Sequence, residues 1–298
     1  MKVSLFQMKT APTPEENIVK IREMLKQAKA EGADIVILPE MCCCPYENSA
    51  FVKFAMPWNS PFLTEIAAQA KELGLYIVAG SVPLASEGKI YNASFVYNDK
   101  GECIAKHRKN HLFDINVPGG QVFMESDTFT AGKDVTTFST PWGKMGLIIC
   151  YDIRFPELSR LLAIEGVQAI FVPAAFNMTT GPAHWELSFR MRALDNQVFM
   201  IGCAPARDME SSYTAWGHSM VTDPWGFVID QLDETEGILT VELDMTRVDT
   251  VRQQLPLLKH RRTDLYDVPY EATIGRTQRN LAGSPLAHYY NKECKTIP

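Results

Sequence analysis

Apolar runs of strand length alternate with amphipathic helical repeats from the first residues of this chain, which restricts the fold to sheets covered by helices. VSLFQM (3–8) reads as a strand. Thr13-Pro14-Glu15-Glu16 forms a capping box with proline at the first helical position. Ile18, Ile21, Leu25 and Ala28 follow at helical spacing, and Gly32 stops the helix. DIVILPE (34–40) predicts a buried strand ending in Glu40. Ser60-Pro61 opens a second helix, with Leu63, Ile66, Ala67 and Ala70 on one face and Gly74 as its stop, and LYIVAGS continues as a strand.

Hairpins then join the pattern. IYNASFVYNDKGECIAKHRK (90–109) reads as two strands around Asn-Asp-Lys-Gly, ending in Lys109. KMGLIIC (144–150) predicts a buried strand, PELSRLLAIEG (156–166) a helix, QAIFVPAAF a strand, GPAHWELSFRMRALDN (181–196) a helix and VFMIGCAPA a strand. HSMVTDPWGFVIDQL is a second hairpin, around Asp-Pro-Trp-Gly, and GILTVEL ends the sheet. The mixture predicts mixed sheets with helices outside and no linker dividing the 298 residues into two domains. Residues 271–298 are polar with little periodicity and predict an extended or partly ordered tail.

At 46% hydrophobic and 21% charged residues the chain can build a sizeable core. A net charge of −6, with no basic run beyond short clusters such as Lys106–Lys109, argues against nucleic acid or an anionic membrane as a partner. No window reaches the roughly 18 apolar residues of a membrane helix. The first residues suit a strand better than a signal peptide, so a cytoplasmic protein is expected. Seven cysteines, an odd number, fit reduced thiols rather than a disulfide framework. Three of them, Cys42, Cys43 and Cys44, follow Glu40 within PEMCCCPY but lack Cys-x-x-Cys spacing, and the histidines offer only His107 and His111 at a ligand-like interval. No metal site is expected, and the triplet reads as packing thiols.

Reactive side chains gather at element ends, where open α/β sheets place their chemistry. Glu40 ends one strand, Lys109 a hairpin and Cys150 another strand, at a strand–turn–helix corner that exposes the sulfur and frees backbone N–H groups. A cysteine of pKa about 8.5 is only about 3% thiolate at pH 7 and needs a base. Glu40 can supply that base, and Lys109 with the Tyr151 N–H can stabilise an oxyanion. Taken singly, Glu40 also fits a surface cap, Lys109 a solvated charge and Cys150 a packed core thiol.

LPEM (38–41), HRKNHLFD (107–114) and ICYDIRFPEL (149–158) together resemble the three signature segments of the nitrilase, or carbon–nitrogen hydrolase, superfamily. The resemblance implies Glu40 as general base, Lys109 as oxyanion stabiliser, Cys150 as nucleophile and Glu125, in FMESDTF, as the glutamate that orients the lysine. It implies an αββα four-layer sandwich over residues 1–270, homodimers or larger assemblies paired through the helices flanking Cys150 and Ala193, and a reaction with no metal or organic cofactor. The run of three cysteines departs from close relatives, which carry one after the glutamate, and suggests an oxidation-sensitive pocket rim.

Within that superfamily, HLFDINVPGG, AFNMTTGPAHWE, RALDNQV, PARD and YTAWGHS are most similar to the ω-amidase branch, whose substrates are small 2-oxo acid amides such as 2-oxoglutaramate and 2-oxosuccinamate. By this resemblance Arg154 and Thr180 clamp the substrate carboxylate, and Tyr46 and Phe113 line the pocket. Arg154 could instead pair with Glu157, and the aromatics could be packing. Other branches, acting on N-carbamoyl amines, aliphatic amides, nitriles or deaminated glutathione, remain open. So do a catalytically silent partner-binding protein and a redox or metal sensor built on Cys42–Cys44.

Overall fold

The computed structural model describes residues 1–266; the tail expected over 271–298 and Cys294 lie outside the described residues. Along the chain run β1 (Lys2–Gln7), α1 (Pro14–Ala30), β2 (Ile35–Ile37), α2 (Asn48–Lys53), α3 (Pro61–Leu73), β3 (Tyr76–Ser86), β4 (Lys89–Tyr97), β5 (Cys103–Arg108), β6 (Asp114–Asn116) and β7 (Val122–Met124). The second half holds β8 (Thr136–Thr140), β9 (Gly143–Leu147), α4 (Pro156–Ile164), β10 (Ala169–Pro173), α5 (Gly181–Asn196), β11 (Phe199–Cys203), β12 (Met220–Thr222), β13 (Val228–Gln231), β14 (Gly237–Glu242) and α6 (Thr246–Gln254). The helix starts follow the cap chemistry. Thr13 accepts a hydrogen bond from the Glu16 N–H and Ser60 from the Leu63 N–H, each at 3.3 Å.

Two six-stranded sheets result, ordered β14-β1-β2-β3-β4-β5 and β13-β12-β11-β10-β9-β8. In each, three central strands run parallel (β1, β2, β3 and β9, β10, β11) and the outer pairings are antiparallel. The hairpin turns are set by side chains: Asn98 Oδ1 accepts from Lys100 and Glu102 N–H, and Asp223 Oδ1 from Trp225 and Phe227 N–H.

Alternate residues of the central strands serve two cores, which is why these runs are apolar without interruption. Val3, Leu5, Ile35 and Ile37 of the first sheet meet Leu147, Phe171 and Ile201 of the second. On the outer faces, Phe6, Val36 and Ile77 pack under Ile21, Leu25 and Ile66 of α1 and α3. Ile170, Val172 and Met200 pack under Leu162, Trp185 and Phe189 of α4 and α5. The molecule is an αββα four-layer sandwich.

Two differences from the sequence reading bear on the site. β2 stops at Ile37 and β9 at Leu147, so Glu40 and Cys150 lie on chain that has left the ladder instead of ending a strand. The short elements α2, β6, β7, β8 and α6 were not foreseen.

Candidate active site

Glu40 is seated by a crossing of chain over β3. A Cβ at Gly80 would lie 2.0 Å from the Pro39 carbonyl oxygen, so only glycine lets this segment pass. Ser81 then fixes the turn: its hydroxyl accepts from the Met41 N–H at 3.0 Å and its carbonyl from the Cys42 N–H at 3.1 Å. Met41 takes φ +53°, a left-handed conformation that a side chain adopts only where its surroundings impose it.

Lys109 leaves β5 in a similar manner. Its N–H donates to the Asn92 carbonyl, and its own carbonyl accepts from the Gly132 N–H, both at 2.8 Å. The ammonium is fully buried, 2.9 Å from Glu40 Oε1 and 2.8 Å from Glu125 Oε2. Asn92 Nδ2 donates to Glu40 Oε1 and Glu125 Oε1, both at 2.8 Å. The Ala175 N–H completes Glu40 at 2.8 Å and the Phe113 N–H completes Glu125 at 2.6 Å. Two buried carboxylates thus share one cation, an arrangement tolerable only because every oxygen is hydrogen-bonded. Burial raises the Glu125 carboxyl, with Lys109 opposing and Glu40 adding to the rise. Burial also works against the Lys109 ammonium, but Glu125 and Glu40 outweigh it and hold the proton on.

Cys150 opens a 3₁₀ turn, Cys150–Arg154, at φ +45°. The first N–H groups of such a turn, Tyr151 among them, have no carbonyl of the turn to bond. Burial pushes the thiol well above its usual pKa; the charge of Glu40 and a hydrogen bond to it add to the rise, and Lys109 opposes it. The sulfur therefore rests as a thiol beside a carboxylate able to take its proton.

Arg154, at the end of the turn, makes no ion pair with Glu157. Its Nη1 lies 2.9 Å from His184 Nδ1, its guanidinium stacks 4.6 Å above the Phe176 ring, and its buried Nε has no partner. No carboxylate of the described residues pairs with it. Thr180 precedes α5, its hydroxyl donating to Asn177 Oδ1 at 3.1 Å, and its carbonyl accepts from the His184 N–H at 2.9 Å. The two residues expected to bind carboxylate thus each contact His184, in the first turn of α5. Tyr46 donates to Glu40 Oε1 at 3.4 Å and lies against Tyr213, ring centroids 4.4 Å apart. Phe113 meets Tyr151 edge-on. A cavity of about 390 Å³ opens beside Glu40, bordered by Cys44, Tyr46, Ala175 and Tyr213.

The carbon–nitrogen hydrolase family matches this chain over residues 2–253. The chain belongs to that family. This hydrolase is 45% identical over 270 residues to omega-amidase NIT2-A of Xenopus laevis and 41% identical over 267 residues to omega-amidase NIT2 of Homo sapiens. Each alignment covers 90% of this chain and 97% of the relative. In structure it resembles Saccharomyces cerevisiae Nit3, described as a member of branch 10 of the nitrilase superfamily, with TM-score 0.81 and 39% identity over 88% of this chain and 96% of that one.

Sequence reasoning missed several residues that shape the hydrolase's site. Asn92 sits inside a strand and carries no local signal for binding two glutamates 52 and 33 residues away. Asp152, Tyr213 and His184 were likewise unmarked, although His107, His111 and Asp152 stood inside the signature segments. The cysteine triplet is core. Cys42, Cys43 and Cys44 are all fully buried under α1 and α3, where burial pushes the Cys42 and Cys43 thiols up, so all three pack as core thiols instead of forming an oxidation-sensitive rim, although Cys44 also borders the cavity.

Proposed function

We propose that this hydrolase is an ω-amidase that removes the terminal amide of 2-oxoglutaramate and 2-oxosuccinamate through a Cys150 thioester. One observation carries the reading: a Glu40–Lys109–Glu125 cluster facing Cys150 stands beside an arginine with no acidic partner among the described residues. The names of the relatives support it.

The substrate carboxylate is held by Arg154 and the amino end of α5, with Thr180 turning its hydroxyl from Asn177 to the ligand. The amide then lies over Cys150, between the walls formed by Tyr46 and Phe113. Glu40 takes the thiol proton as the sulfur attacks the amide carbon, and the oxyanion forms between Lys109 Nζ and the Tyr151 N–H. Glu125 keeps Lys109 charged and aimed. Protonated Glu40 hands its proton to the departing ammonia, leaving the thioester. Glu40 next deprotonates a water that attacks the thioester, and the thiolate recovers its proton as the 2-oxo acid leaves.

The assembly is proposed to be a cytoplasmic homodimer or larger. Leu187, Met191 and Leu194, exposed along one side of α5, support pairing through this helix.

Ammonia release from 2-oxoglutaramate, beside glutamine, an N-carbamoyl amino acid and a simple nitrile, tests the function. Fast release from the oxo-acid amide alone is expected. Cys150→Ala should lower it by at least about 10⁴-fold, and Arg154→Gln should raise KM roughly 10- to 100-fold with kcat little changed. Turnover confined to another compound would replace the substrate and take Arg154 and Thr180 out of the clamp.

A further inference from the structure

Lys109 and Cys150 come from opposite sheets: Lys109 follows β5 of the first and Cys150 follows β9 of the second. Between the sheets lies apolar packing, which is non-directional and does not by itself fix two reactive atoms to a fraction of an ångström. Lys109 takes its direction from Glu40 and Glu125, but neither holds the backbone from which Cys150 projects.

Glu40 reaches the second sheet at the Ala175 N–H, but the side chain that ties the segment around Lys109 to the turn around Cys150 is Asp152. Asp152 is fully buried and accepts four hydrogen bonds. Oδ1 receives the His111 N–H at 3.0 Å and His111 Nδ1 at 2.7 Å; Oδ2 receives His107 Nε2 at 3.0 Å and the Ile149 N–H at 3.1 Å. His107 and His111 lie two residues before and two after Lys109, while Ile149 and Asp152 flank Cys150. His107 is held from behind by Thr136 Oγ1 at 2.9 Å, and the His111 ring stacks on Phe155 at 3.7 Å. A buried carboxylate without a lysine or arginine partner is costly unless fully hydrogen-bonded, and here each oxygen has two donors. Burial alone would raise the Asp152 carboxyl, yet the bonds from His107 and His111 hold it well below the usual range, so it stays ionised.

We propose that Asp152 is a positioning residue for the reaction, clamping the nucleophile turn to the two histidines on either side of Lys109 and so fixing the sulfur in line with its base and its oxyanion site. The proposal rests on the reading of Cys150 as nucleophile and Lys109 as oxyanion stabiliser. Asp152 touches no substrate; it acts through backbone that the substrate-contacting residues share.

Asp152→Asn tests it, because each oxygen position faces a fixed backbone N–H. Whichever way the amide turns, its NH₂ opposes one of those donors and that side of the clamp opens. The expected result is kcat about 100-fold lower with KM within about threefold of wild type, the scale of a roughly 1 Å misplacement. Alkylation of Cys150 by iodoacetamide, measured on folded protein, should slow by a comparable factor. His107→Gln, which keeps an N–H donor toward Asp152, should retain most of kcat, and His107→Leu should lose it with Asp152→Asn. A variant with a lowered Tm but wild-type kcat and alkylation rate would overturn the proposal, as would a loss confined to KM. Should Asp152→Asn fail to fold, the His107 pair decides, equal kcat for Gln and Leu overturning it. Failure of the substrate reading shows separately, as a wild type inactive on the oxo-acid amide whose Cys150 is still alkylated faster than in the variants.

Discussion

At the scale of single residues, charge is handled by pairing inside the site and by neutrality at its edge. Lys109 is shared by two glutamates, whereas Arg154 is left with a histidine. Arginine can only donate, so the 2.9 Å contact requires His184 Nδ1 to accept and the ring to be neutral. Burial and then Arg154 depress the His184 pKa below its ordinary 6.5, which keeps the accepting form in place at neutral pH. Above the ordinary imidazole range the pair is intact. As pH falls through the depressed value, His184 gains a proton, loses the bond and repels Arg154. KM for 2-oxoglutaramate should therefore be flat above about pH 7 and rise on acidification, with the rise abolished in His184→Gln. A pH-independent KM in the wild type would refute this role.

At the scale of elements, the reactive residues depend on places where chain leaves a strand and crosses another. Gly80 is the clearest case, since a methyl group there meets the Pro39 carbonyl oxygen at 2.0 Å, and neither backbone can yield without moving Glu40. Gly80→Ala should destabilise the fold by about 1–3 kcal/mol, as overpacking does, and lower kcat in protein that still folds. Urea unfolding and the kinetics of the surviving fraction would check both, and an unchanged kcat would detach Glu40 from this crossing. The sequence pointed to the right strands here but overran their ends. DIVILPE and GLIIC are apolar to the last residue, and nothing local tells a residue in the ladder from one just past it. The short elements were missed for a related reason, since three residues of β6 or β7 carry too little periodicity to register.

At the scale of the whole molecule, two layers of helices leave outer faces, and that of α5 is not polar throughout. Leu187, Met191 and Leu194 lie on it at helical spacing, 63%, 42% and 39% exposed, a stripe suited to a symmetric contact. Light scattering should give at least twice the 33.5 kDa chain mass, and Leu187→Glu with Met191→Glu should return it to a single chain. A wild-type monomer would remove the dimer from the proposal.

The sequence by itself determined the alternation of strands and helices, their caps and turns, the candidate residues near the strand ends and the family that the signature segments mark. Those features are written in runs of a few residues, where periodicity and turn chemistry act. Tertiary structure alone decided which side chains complete the site: Asn92 between two glutamates, the Ala175 N–H on Glu40, Asp152 across the sheets, and Cys42 and Cys43 turned into the core. These partners stand 33 to 135 residues apart along the chain. No local pattern encodes them, because they exist only once two sheets have closed on a common core and each buried polar group has had to find a partner.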